Sequence, residues 1–414
     1  MSPFTHISSS GLARAIAAAG TSAVLLTFVP RVESQQCPLI DTRPPTAAGQ
    51  KPAITGQYRA CKVTSSARFD VTVVTRGLDT PWAVEPLPGG DLLVTEKPGR
   101  LRIVSASGII GEPITGLPAV VAAGQGGLLD VALSPSFASD RTVFWSFSEE
   151  RPEGGNGTSI ARGMLSVDRK SLSDVKVIFR VLPAYAGDKH FGSRLAFGTD
   201  GMLYASFGER SDTPMRKYAQ MMNSHLGKII RIKPDGTIPT DNPFVGQGTA
   251  KPEIWSLGHR NVQAMTFDAN GGLWAIEHGT NGGDELNRVQ KGKNYGWADV
   301  AYGVEYSGQP LPMVTAKEGT EQPVYFWDPN IAPSGAQFYN GTAFPAWRGN
   351  LFVGGMKEKF LVRLVIKQNK VTGEEHLLAD RAQRVRDVRQ GPDGALYIVT
   401  DQKLGELWRV TPRK

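Results

Sequence analysis

One stretch of the chain, from His259 to Trp297, concentrates the residue types that could carry out chemistry. An Arg-Asn pair opens it, a short apolar run ends in Glu-His, and a glycine-rich loop with two further carboxylates follows. These residues are Arg260, Asn261, Glu277, His278, Asp284 and Glu285, and Tyr295 comes after them. The set combines a fixed cation, an amide and carboxylates, which are the parts of a hard-cation site beside an anion site.

The loop of this stretch, GTNGGDELN, favours oxygen ligands. Its glycines allow the backbone carbonyls of Gly279 and Thr280 to turn inward, next to the carboxylates of Asp284 and Glu285. Oxygen-only ligation of this kind suits Ca²⁺. The spacing does not match an EF-hand loop, and a plain glycine-rich hairpin turn is the alternative interpretation.

A second candidate lies in the segment GDKHFGSRLAF, where His190 is the natural general base. Its imidazole titrates near neutral pH, and Asp188 is close enough in sequence to orient the ring. His278 is the competing base, although its neighbours favour metal ligation. For either histidine, a purely structural role is the alternative.

These residues belong to a unit that the chain repeats six times. The unit is an alternating apolar strand, a glycine turn and a second apolar strand, often followed by a third strand. The copies cover residues 81–104, 127–149, 193–209 with 225–236, 263–279, 335–366 and 386–410. Because each unit must stack on its neighbours to bury both faces, the repeat predicts an all-β fold, a six-bladed β-propeller with four-stranded antiparallel blades. Phe69–Val74 is expected to add the outer strand of the last blade.

The repeated unit also predicts where side chains meet. Since neighbouring strands of a blade are antiparallel and the first is innermost, residues before strand one and after strand two share one face, near the axis. Before strand one lie Thr80, Gln125, His190, Arg260, Asn261, Ser334 and Arg384 to Arg386. After strand two lie Glu96, Lys97, Glu209, Arg210, Glu277, His278, Lys357, Thr400 and Asp401. The sequence therefore predicts one central polar pocket.

Four of these side chains, Arg260, Lys357, Arg384 and Arg386, would bring positive charge to the pocket. Buried like charges repel each other unless an anion or a counter-charge lies among them. Arginine also binds carboxylates in a bidentate manner. The implied ligand is a compact polyanion, and a multi-carboxylate cofactor fits better than a neutral sugar alone. The alternative is that each cation is a solvated surface residue.

Composition and absent motifs narrow the function classes. The net charge of +7 over 414 residues is mild, and no basic run with interleaved aromatic residues indicates nucleic-acid binding. No HExxH, GxSxG, P-loop or GxGxxG motif is present, which argues against zinc peptidases, serine hydrolases, kinases and Rossmann dehydrogenases. Two cysteines without a CxxCH motif exclude covalent haem and iron–sulfur clusters.

The N-terminal region resembles an export segment followed by an arm. Residues 1–34 contain a basic residue, a short apolar run and a small-residue cleavage context, as in a signal peptide; a retained membrane anchor is the alternative. Residues 35–67, rich in Pro, Gly, Thr and Ala, are expected to form a linker or loosely packed arm before a propeller domain over residues 68–414. Cys37 and Cys61 are expected to form a disulfide there, with two free thiols as the alternative.

Nine segments together resemble a known family, the soluble aldose sugar dehydrogenases that depend on pyrroloquinoline quinone (PQQ) and are related to soluble quinoprotein glucose dehydrogenase. From about residue 68 onward, the segments are LDTPWA, GQGGLLDVAL, DKHFGSRLAF, LGKIIRIKPDG, IWSLGHRN, EHGTNGGDE, KGKNYGW, GTEQPVYFW and QRVRDVRQGPDGALYIVTD. The resemblance implies oxidation of an aldose at its anomeric carbon to a lactone, with hydride transfer to a calcium-activated quinone.

The resemblance also implies roles for individual residues. His190 would be the catalytic base, and Arg260 would polarise the quinone carbonyl. The implied quinone pocket contains Gln125, Arg260, Asn261, Tyr306, Gly355, Met356, Lys357, Arg384, Val385 and Arg386. The implied calcium ligands are Glu285, Tyr295 through its carbonyl, and the carbonyls of Gly279 and Thr280. The family often has Gly-Pro at the last two positions, and loss of the proline is expected to loosen that loop.

Two other functions stay open at this point. A calcium-dependent propeller lactonase or esterase would use axial carboxylates and a metal-activated water, without the cationic residues. A non-catalytic carbohydrate- or protein-binding propeller would use its rim loops. The expected partners of the dehydrogenase are an aldose and an external electron acceptor, in the periplasm or outside the cell. We expect a monomer or homodimer that binds no nucleic acid and is not inserted in a membrane after signal cleavage.

Overall fold

The repeated units fold into six antiparallel sheets that form the blades of a propeller. The computed structural model describes residues 37–413, so the expected signal peptide over residues 1–34 lies outside the described residues. The first strands of neighbouring blades contact one another around the axis. The predicted all-β, six-bladed β-propeller is therefore confirmed.

The strands follow the order of the chain, apart from β1 (Phe69–Leu78), which belongs to the last blade. Blade 1 contains β2 (Pro81–Pro86), β3 (Leu92–Glu96) and β4 (Arg100–Val104). Blade 2 contains β5 (Leu128–Leu133), β6 (Thr142–Glu150), β7 (Asn156–Leu165) and β8 (Leu172–Arg180). Blade 3 contains β9 (Leu195–Phe197), β10 (Leu203–Phe207), β11 (Lys228–Ile232) and β12 (Ile254–Leu257).

The second half of the chain builds the other three blades. Blade 4 contains β13 (Val262–Phe267), β14 (Leu273–Glu277), β15 (Asp284–Val289) and β16 (Tyr325–Trp327). Blade 5 contains β17 (Pro333–Phe338), β18 (Leu351–Gly355), β19 (Phe360–Lys367) and β20 (Lys370–Leu377). Blade 6 contains β21 (Val385–Gln390), β22 (Leu396–Thr400) and β23 (Gly405–Pro412), and β1 pairs with β23 as its fourth strand.

Pairing of β1 with β23 closes the ring. The register runs from Phe69 opposite Pro412 to Leu78 opposite Gly405. The sequence predicted this closing strand at Phe69–Val74, and the structure confirms and extends it. The outer strand of blade 6 comes from the start of the propeller sequence. Backbone hydrogen bonds therefore join the first and last strands of the propeller.

In the described part of the chain, helical structure is confined to short turns. The two α-helical turns are α1 (Phe137–Asp140) and α2 (Thr213–Arg216). Three 3₁₀ turns cover Lys217–Ala219, Pro345–Trp347 and Ala379–Arg381. Within residues 37–413, no helix has the length and apolar character required to cross a lipid bilayer.

The core lies between neighbouring blades. One cluster joins Leu93 of blade 1 to Trp145 of blade 2. Another joins Trp274 of blade 4 to Phe338 of blade 5, with ring centroids 5.8 Å apart. Burial of one such side chain contributes roughly 1.5–3 kcal/mol. The apolar alternation of each strand therefore stabilises the ring blade by blade and leaves the axis to polar groups.

Buried ions join the innermost parts of the blades at the axis. Nη1 of Arg194, just before β9, lies 2.8 Å from Asp130 of blade 2 and 3.1 Å from Asp387 of blade 6. Arg389 also contacts both carboxylates, at 3.4 and 3.1 Å. The Nε–H of Arg194 donates to the carbonyl of Gln263 on blade 4 (3.0 Å). Paired in this way, charges can be buried, and their contacts tie four blades together.

The described part of the N-terminal arm, residues 38–67, follows the outer edges of blades 4 and 5. Tyr58 pairs in parallel with Phe326 of β16, and Lys62 pairs in parallel with Glu374 of β20. The rings of Tyr58 and Phe326 stack with centroids 4.8 Å apart. The arm thus covers sheet edges that would otherwise present unpaired backbone groups.

The cysteines of the arm are oxidised. Both Cys37 and Cys61 are disulfide-bonded, which confirms the disulfide and excludes the alternative of two free thiols. Disulfides persist mainly in oxidising compartments.

Candidate active site

His190 lies immediately before the inner strand of blade 3 and is 4% exposed. Its Nδ1 lies 3.1 Å from Oε1 of Glu209, which follows the second strand of the same blade. Because a carboxylate only accepts, the proton of the neutral ring is on Nδ1 and the lone pair is on Nε2. Burial and the charge of Arg260 lower the pKa of His190, and Glu209 opposes this in part. The imidazole is therefore neutral at pH 7 and can accept a proton.

Glu209, and not the expected Asp188, orients this histidine. The side chain of Asp188 is 56% exposed, and its nearest ionic neighbour is Lys189 at 4.0 Å, so the prediction for Asp188 is wrong. Burial alone would raise the pKa of Glu209, but His190 and Arg260 hold it below its usual value. An ionised, buried carboxylate thus fixes both the orientation and the tautomer of the ring.

Arg210 holds the backbone segment that carries His190. Its guanidinium donates to the carbonyls of Lys189 (2.9 Å) and Gly187 (2.6 Å), and to the carbonyl and side-chain oxygens of Asn156 (3.1 and 2.8 Å). The same group lies 4.1 Å from the ring centroid of Phe191. Burial lowers the pKa of Arg210 to about 10, so it stays charged at neutral pH. Glu209 and Arg210, which are adjacent in one turn, therefore fix the imidazole ring and the backbone segment of His190.

Arg260 is a fixed cation next to this pair. Nε of Arg260 lies 4.0 Å from Glu209, and the guanidinium lies 5.1 Å from the ring centroid of Trp297. Its Nη1 donates to the carbonyls of His278 (3.1 Å) and Gly279. Among the described residues, the buried Nε has no hydrogen-bond partner. One strong donor of this arginine is thus unused by the protein.

The expected cationic cluster contains its own counter-ion. Asp401 lies 2.6 Å from Nη2 of Arg384 and 3.0 Å from Nη2 of Arg386. Burial alone would raise the pKa of Asp401, but Arg386 and Arg384 lower it to about 2. Lys97 belongs to the same cluster, because burial and the charge of Arg386 lower its pKa. One carboxylate thus lies among three cations, which leaves net positive charge.

Lys357 reaches the loop of blade 4 through an amide. Its ammonium donates to Oδ1 of Asn330 (2.6 Å), whose Nδ2 donates to the carbonyl of Thr280 (3.2 Å). The buried hydroxyl of Thr280 has no hydrogen-bond partner within residues 37–413. The loop Gly279–Gly283, termed the site loop, is therefore linked through Asn330 to Lys357 of blade 5.

Backbone hydrogen bonds hold the site loop in place. The N–H of Gly279 donates to Asp284 (2.9 Å), and Asn281 and Val304 exchange two bonds of 3.0 Å. Burial raises the pKa of Asp284 to about 6. Thr280, which stands where the resembling family often has proline, is fully buried. The loop is anchored on both sides of that residue.

Two carboxylates, the buried Glu277 and the half-buried Glu285, are paired across β14 and β15. The amide of Asn287 donates to both, at 3.0 and 3.2 Å, and Nδ1 of His259 lies 2.9 Å from Glu277. Burial and the charge of Glu277 raise the pKa of Glu285 well above its usual value. Tyr295 lines the same small cavity. The two neighbouring carboxylates, with an Oδ1 of Asn287 that has no hydrogen-bond partner among the described residues, make this cavity a suitable place for a hard cation.

Side-chain clustering alone does not form a metal site in the described residues. No group of three or more His, Cys, Asp or Glu residues suited to a metal is found there. A cation beside Glu285 would therefore depend on backbone carbonyls, which are ordinary calcium ligands.

His278, the competing base, is used structurally. Its Nε2 lies 2.6 Å from the carbonyl of Pro333, to which it donates. Burial lowers the pKa of His278 to about 3. The ring is therefore neutral and joins blades 4 and 5.

Two other predicted residues contact the His190 segment. Gln125 is exposed, and its Oε1 accepts the backbone N–H of His190 (2.9 Å). Oδ1 of Asn261 accepts the N–H of Gly192 (3.1 Å). Gln263 contacts Asn261 and, at 3.4 Å, Arg386. Hydrogen bonds thus connect the candidate base with the cationic cluster.

The remaining predicted residues differ in burial. The carbonyl of Met356 accepts from Arg384 (3.4 Å), and Gly355 and Val385 are buried at strand ends beside it. Tyr306 is 69% exposed and lies outside this hydrogen-bonded set. Its neighbour Glu305 instead binds Arg216 of α2.

The sequence placed some of the site residues in the pocket without giving them an individual role. Glu209, Arg210, Lys97 and Asp401 all follow the second strand of a blade, where the repeat predicts pocket residues. Asn330 and Trp297 have no such signal, because they lie in loops between repeats.

Comparison with known proteins agrees with this arrangement. Residues 78–409 match the family model described as Glucose / Sorbosone dehydrogenase. The chain belongs to the glucose/sorbosone dehydrogenase family. It is 43% identical over 351 residues to the aldose sugar dehydrogenase YliI of Escherichia coli (strain K12), covering 84% of this chain and 94% of that protein.

Solved structures of the glucose/sorbosone dehydrogenase type share the fold. The apo-form of the soluble aldose sugar dehydrogenase from Escherichia coli superposes with a TM-score of 0.80 at 43% identity, covering 84% of this chain and all of that one. The PQQ-bound form of an aldose sugar dehydrogenase from Streptomyces coelicolor superposes with a TM-score of 0.69 at 31% identity, covering 84% and 100% of the two chains.

Proposed function

We propose that this chain oxidises aldose sugars at the anomeric carbon to lactones, using PQQ and Ca²⁺. The observation that carries the proposal is the neutral, buried His190, held by Glu209 beside Arg260, whose Nε is unused. A base next to a fixed cation suits removal of a hydroxyl proton while negative charge develops nearby.

The residues present fit a quinone that bears carboxylates. The free Nε of Arg260 and the ammonium of Lys357, which forms no ion pair within the described residues, are donors for such a ligand. Arg384 and Arg386 share a single carboxylate. The predicted pocket residues Gln125, Asn261, Tyr306, Gly355, Met356 and Val385 remain part of the proposal, with Tyr306 as its most exposed member.

The residues also fit calcium at the expected positions. The paired Glu277 and Glu285 line one cavity with Tyr295, and Tyr295 is proposed to contribute its carbonyl. The carbonyls of Gly279 and Thr280 are proposed to hold a calcium ion that would activate the quinone. In the protein alone these carbonyls accept from Arg260 and Asn330, and a carbonyl oxygen has a second lone pair for a metal.

The reaction follows from the protonation states of these side chains. Nε2 of His190 accepts the proton of the anomeric hydroxyl, and Glu209 stabilises the imidazolium that results. Arg260 stabilises negative charge that develops beside it. Bound PQQ with calcium would supply the two-electron acceptor for the hydride of the anomeric carbon. Loss of that proton and hydride converts the aldose to its lactone, and an external electron acceptor completes the cycle.

The test is a titration of PQQ and Ca²⁺ into the purified chain, followed by absorbance, and then addition of aldoses with a redox dye. We expect saturable quinone binding and dye reduction that depends on the sugar. Lactone hydrolysis without quinone would instead support a calcium-dependent lactonase or esterase. Sugar binding without either reaction would support a non-catalytic propeller.

Export to the periplasm or the cell exterior is part of the proposal. It is supported by the oxidised state of Cys37 and Cys61, because disulfides are rare in reducing compartments. We assign no nucleic-acid partner, and either a monomer or a homodimer is compatible with the proposed site.

A further inference from the structure

The N-terminal arm contacts the propeller next to the site loop. The backbone N–H groups of Thr46 and Ala47 donate to the two carboxylate oxygens of Asp328, at 2.8 and 3.0 Å. The side chain of Gln50 forms two hydrogen bonds with Gly303, donating to its carbonyl (3.0 Å) and accepting from its N–H (2.7 Å). The arm is thereby fixed to two points of blade 4: the loop between β15 and β16, which contains Gly303, and the end of β16, which Asp328 follows.

Both points touch the site loop directly. A Cβ atom on Gly282 would lie 2.7 Å from Oδ1 of Asp328, and one on Gly303 would lie 2.5 Å from the carbonyl oxygen of Gly282. A Cβ atom on Gly283 would lie 2.2 Å from the carbonyl oxygen of Tyr302. The two backbone segments therefore pack with no space for side chains between them.

The two segments meet at glycines, which have no side chains to hold the backbone in place. Gly282, Gly283 and Gly303 have φ values of +88°, +74° and +94°. Glycine gives access to these conformations, but it contributes no side chain that could hold them, and it loses the most conformational entropy on ordering. The hydrogen bonds of Gln50 hold Gly303, and Asp328, which accepts from Thr46 and Ala47, packs against Gly282.

We propose that the arm is a positioning element of the proposed calcium and quinone site. Through Gln50 and Asp328 it holds the site loop so that the carbonyls of Gly279 and Thr280 stay in the orientation that a cation requires. The family match begins at residue 78, so the arm lies outside it. This inference rests on the proposed function, because it concerns the affinity of the same site.

The experiment measures calcium affinity of the full chain by isothermal titration calorimetry, in the presence of PQQ. Gln50→Ala removes both bonds to Gly303, and we expect calcium affinity to fall at least about tenfold. Lys51→Ala, at the exposed neighbouring position, is the matched control and should bind as the wild type does.

A merely structural role predicts a different result. An arm that only stabilised the fold would lower the unfolding temperatures of the calcium-free and calcium-loaded protein equally and leave calcium affinity unchanged. Wild-type affinity in Gln50→Ala, with calcium bound by the wild type, overturns the inference alone. A wild-type chain that takes up neither calcium nor PQQ overturns the inference together with the proposed function.

Discussion

Nδ1 of His190 and Oε1 of Glu209 lie 3.1 Å apart in a buried pocket. This contact decides the tautomer of the imidazole and leaves its Nε2 as the basic atom. His190 precedes β9 and Glu209 follows β10, so the antiparallel pairing of these two strands of blade 3 brings the residues together. Their meeting is thus a direct product of the propeller repeat.

Removal of either member of this pair should slow catalysis without loss of quinone. For His190→Ala we expect kcat to fall about 10²–10⁴-fold, the usual contribution of a general base. For Glu209→Gln we expect a fall of at least about tenfold, because the orienting charge is lost. Asp188→Asn, at a 56% exposed side chain, is the control. Full turnover by His190→Ala would remove this histidine from the mechanism.

The pH profile should report the lowered pKa of His190. Because burial and Arg260 lower this pKa from 6.5, the basic form persists below pH 6.5. We expect kcat/KM to fall only at lower pH, as the ring becomes protonated. Glu209 raises this pKa, so Glu209→Gln should move the acid limb to still lower pH. An acid limb that Glu209→Gln shifts upward would contradict the assignment.

Loss of cations should weaken quinone binding. Hydrogen bonds to charged groups contribute about 1.5–3 kcal/mol, so Arg386→Ala and Lys357→Ala should each raise the Kd for PQQ about 10- to 150-fold. Arg409→Ala, which removes an exposed ion pair with Asp393 in the same blade, is the control. Unchanged Kd values in both test variants, measured by absorbance titration, would show that these side chains do not face the ligand.

Arg210 should affect turnover through the backbone of the His190 segment. Arg210→Lys keeps the charge but lacks the planar fork that reaches four oxygens. We expect kcat to fall about tenfold or more, while the Kd for PQQ stays the same. Arg180→Lys, at an exposed arginine, is the comparison. A change in PQQ affinity with normal kcat would contradict this role.

Removal of calcium should make the repulsion between Glu277 and Glu285 measurable as a loss of stability. Burial and Glu277 raise the folded-state pKa of Glu285 above 4.5, so this group contributes stability that is lost as pH rises through the folded pKa. In chelator-treated protein, the unfolding temperature should therefore fall as pH rises above 4.5, the ordinary pKa of this carboxyl group. Calcium should reverse the loss.

Glu285→Gln provides the control for this experiment. The variant lacks the second negative charge, so its calcium-free form should depend less on pH than the wild type over the same range. Calorimetry would measure the unfolding temperatures. If those of the calcium-free wild type and variant depend equally on pH, Glu285 carries no such charge.

The repeat made much of the fold predictable from the sequence. Strand alternation and turn glycines gave the six units, and the extra strand before them gave the closure by β1. Blade 1 has three strands, which the repeat did not indicate. The attachment of the arm was also not visible, because its contacts use backbone groups and single polar residues such as Gln50.

The site was predictable where residues occupy repeat positions. His190, Arg260, Arg384 and Arg386 were found in this way, and hydrogen bonds of the structure connect them. The error on Asp188 arose from closeness in sequence, whereas Glu209 reaches the ring across a hairpin. Asn330 and Trp297 contact site residues from irregular loops, whose geometry depends on packing and not on a periodic pattern.

Ring closure through β1 and β23 has a consequence for biosynthesis. The register that pairs Phe69 with Pro412 cannot form until translation has passed Pro412. Arg384 and Arg386 belong to the blade that this step completes, so two cations of the proposed quinone pocket take their final place only after Pro412 has been made.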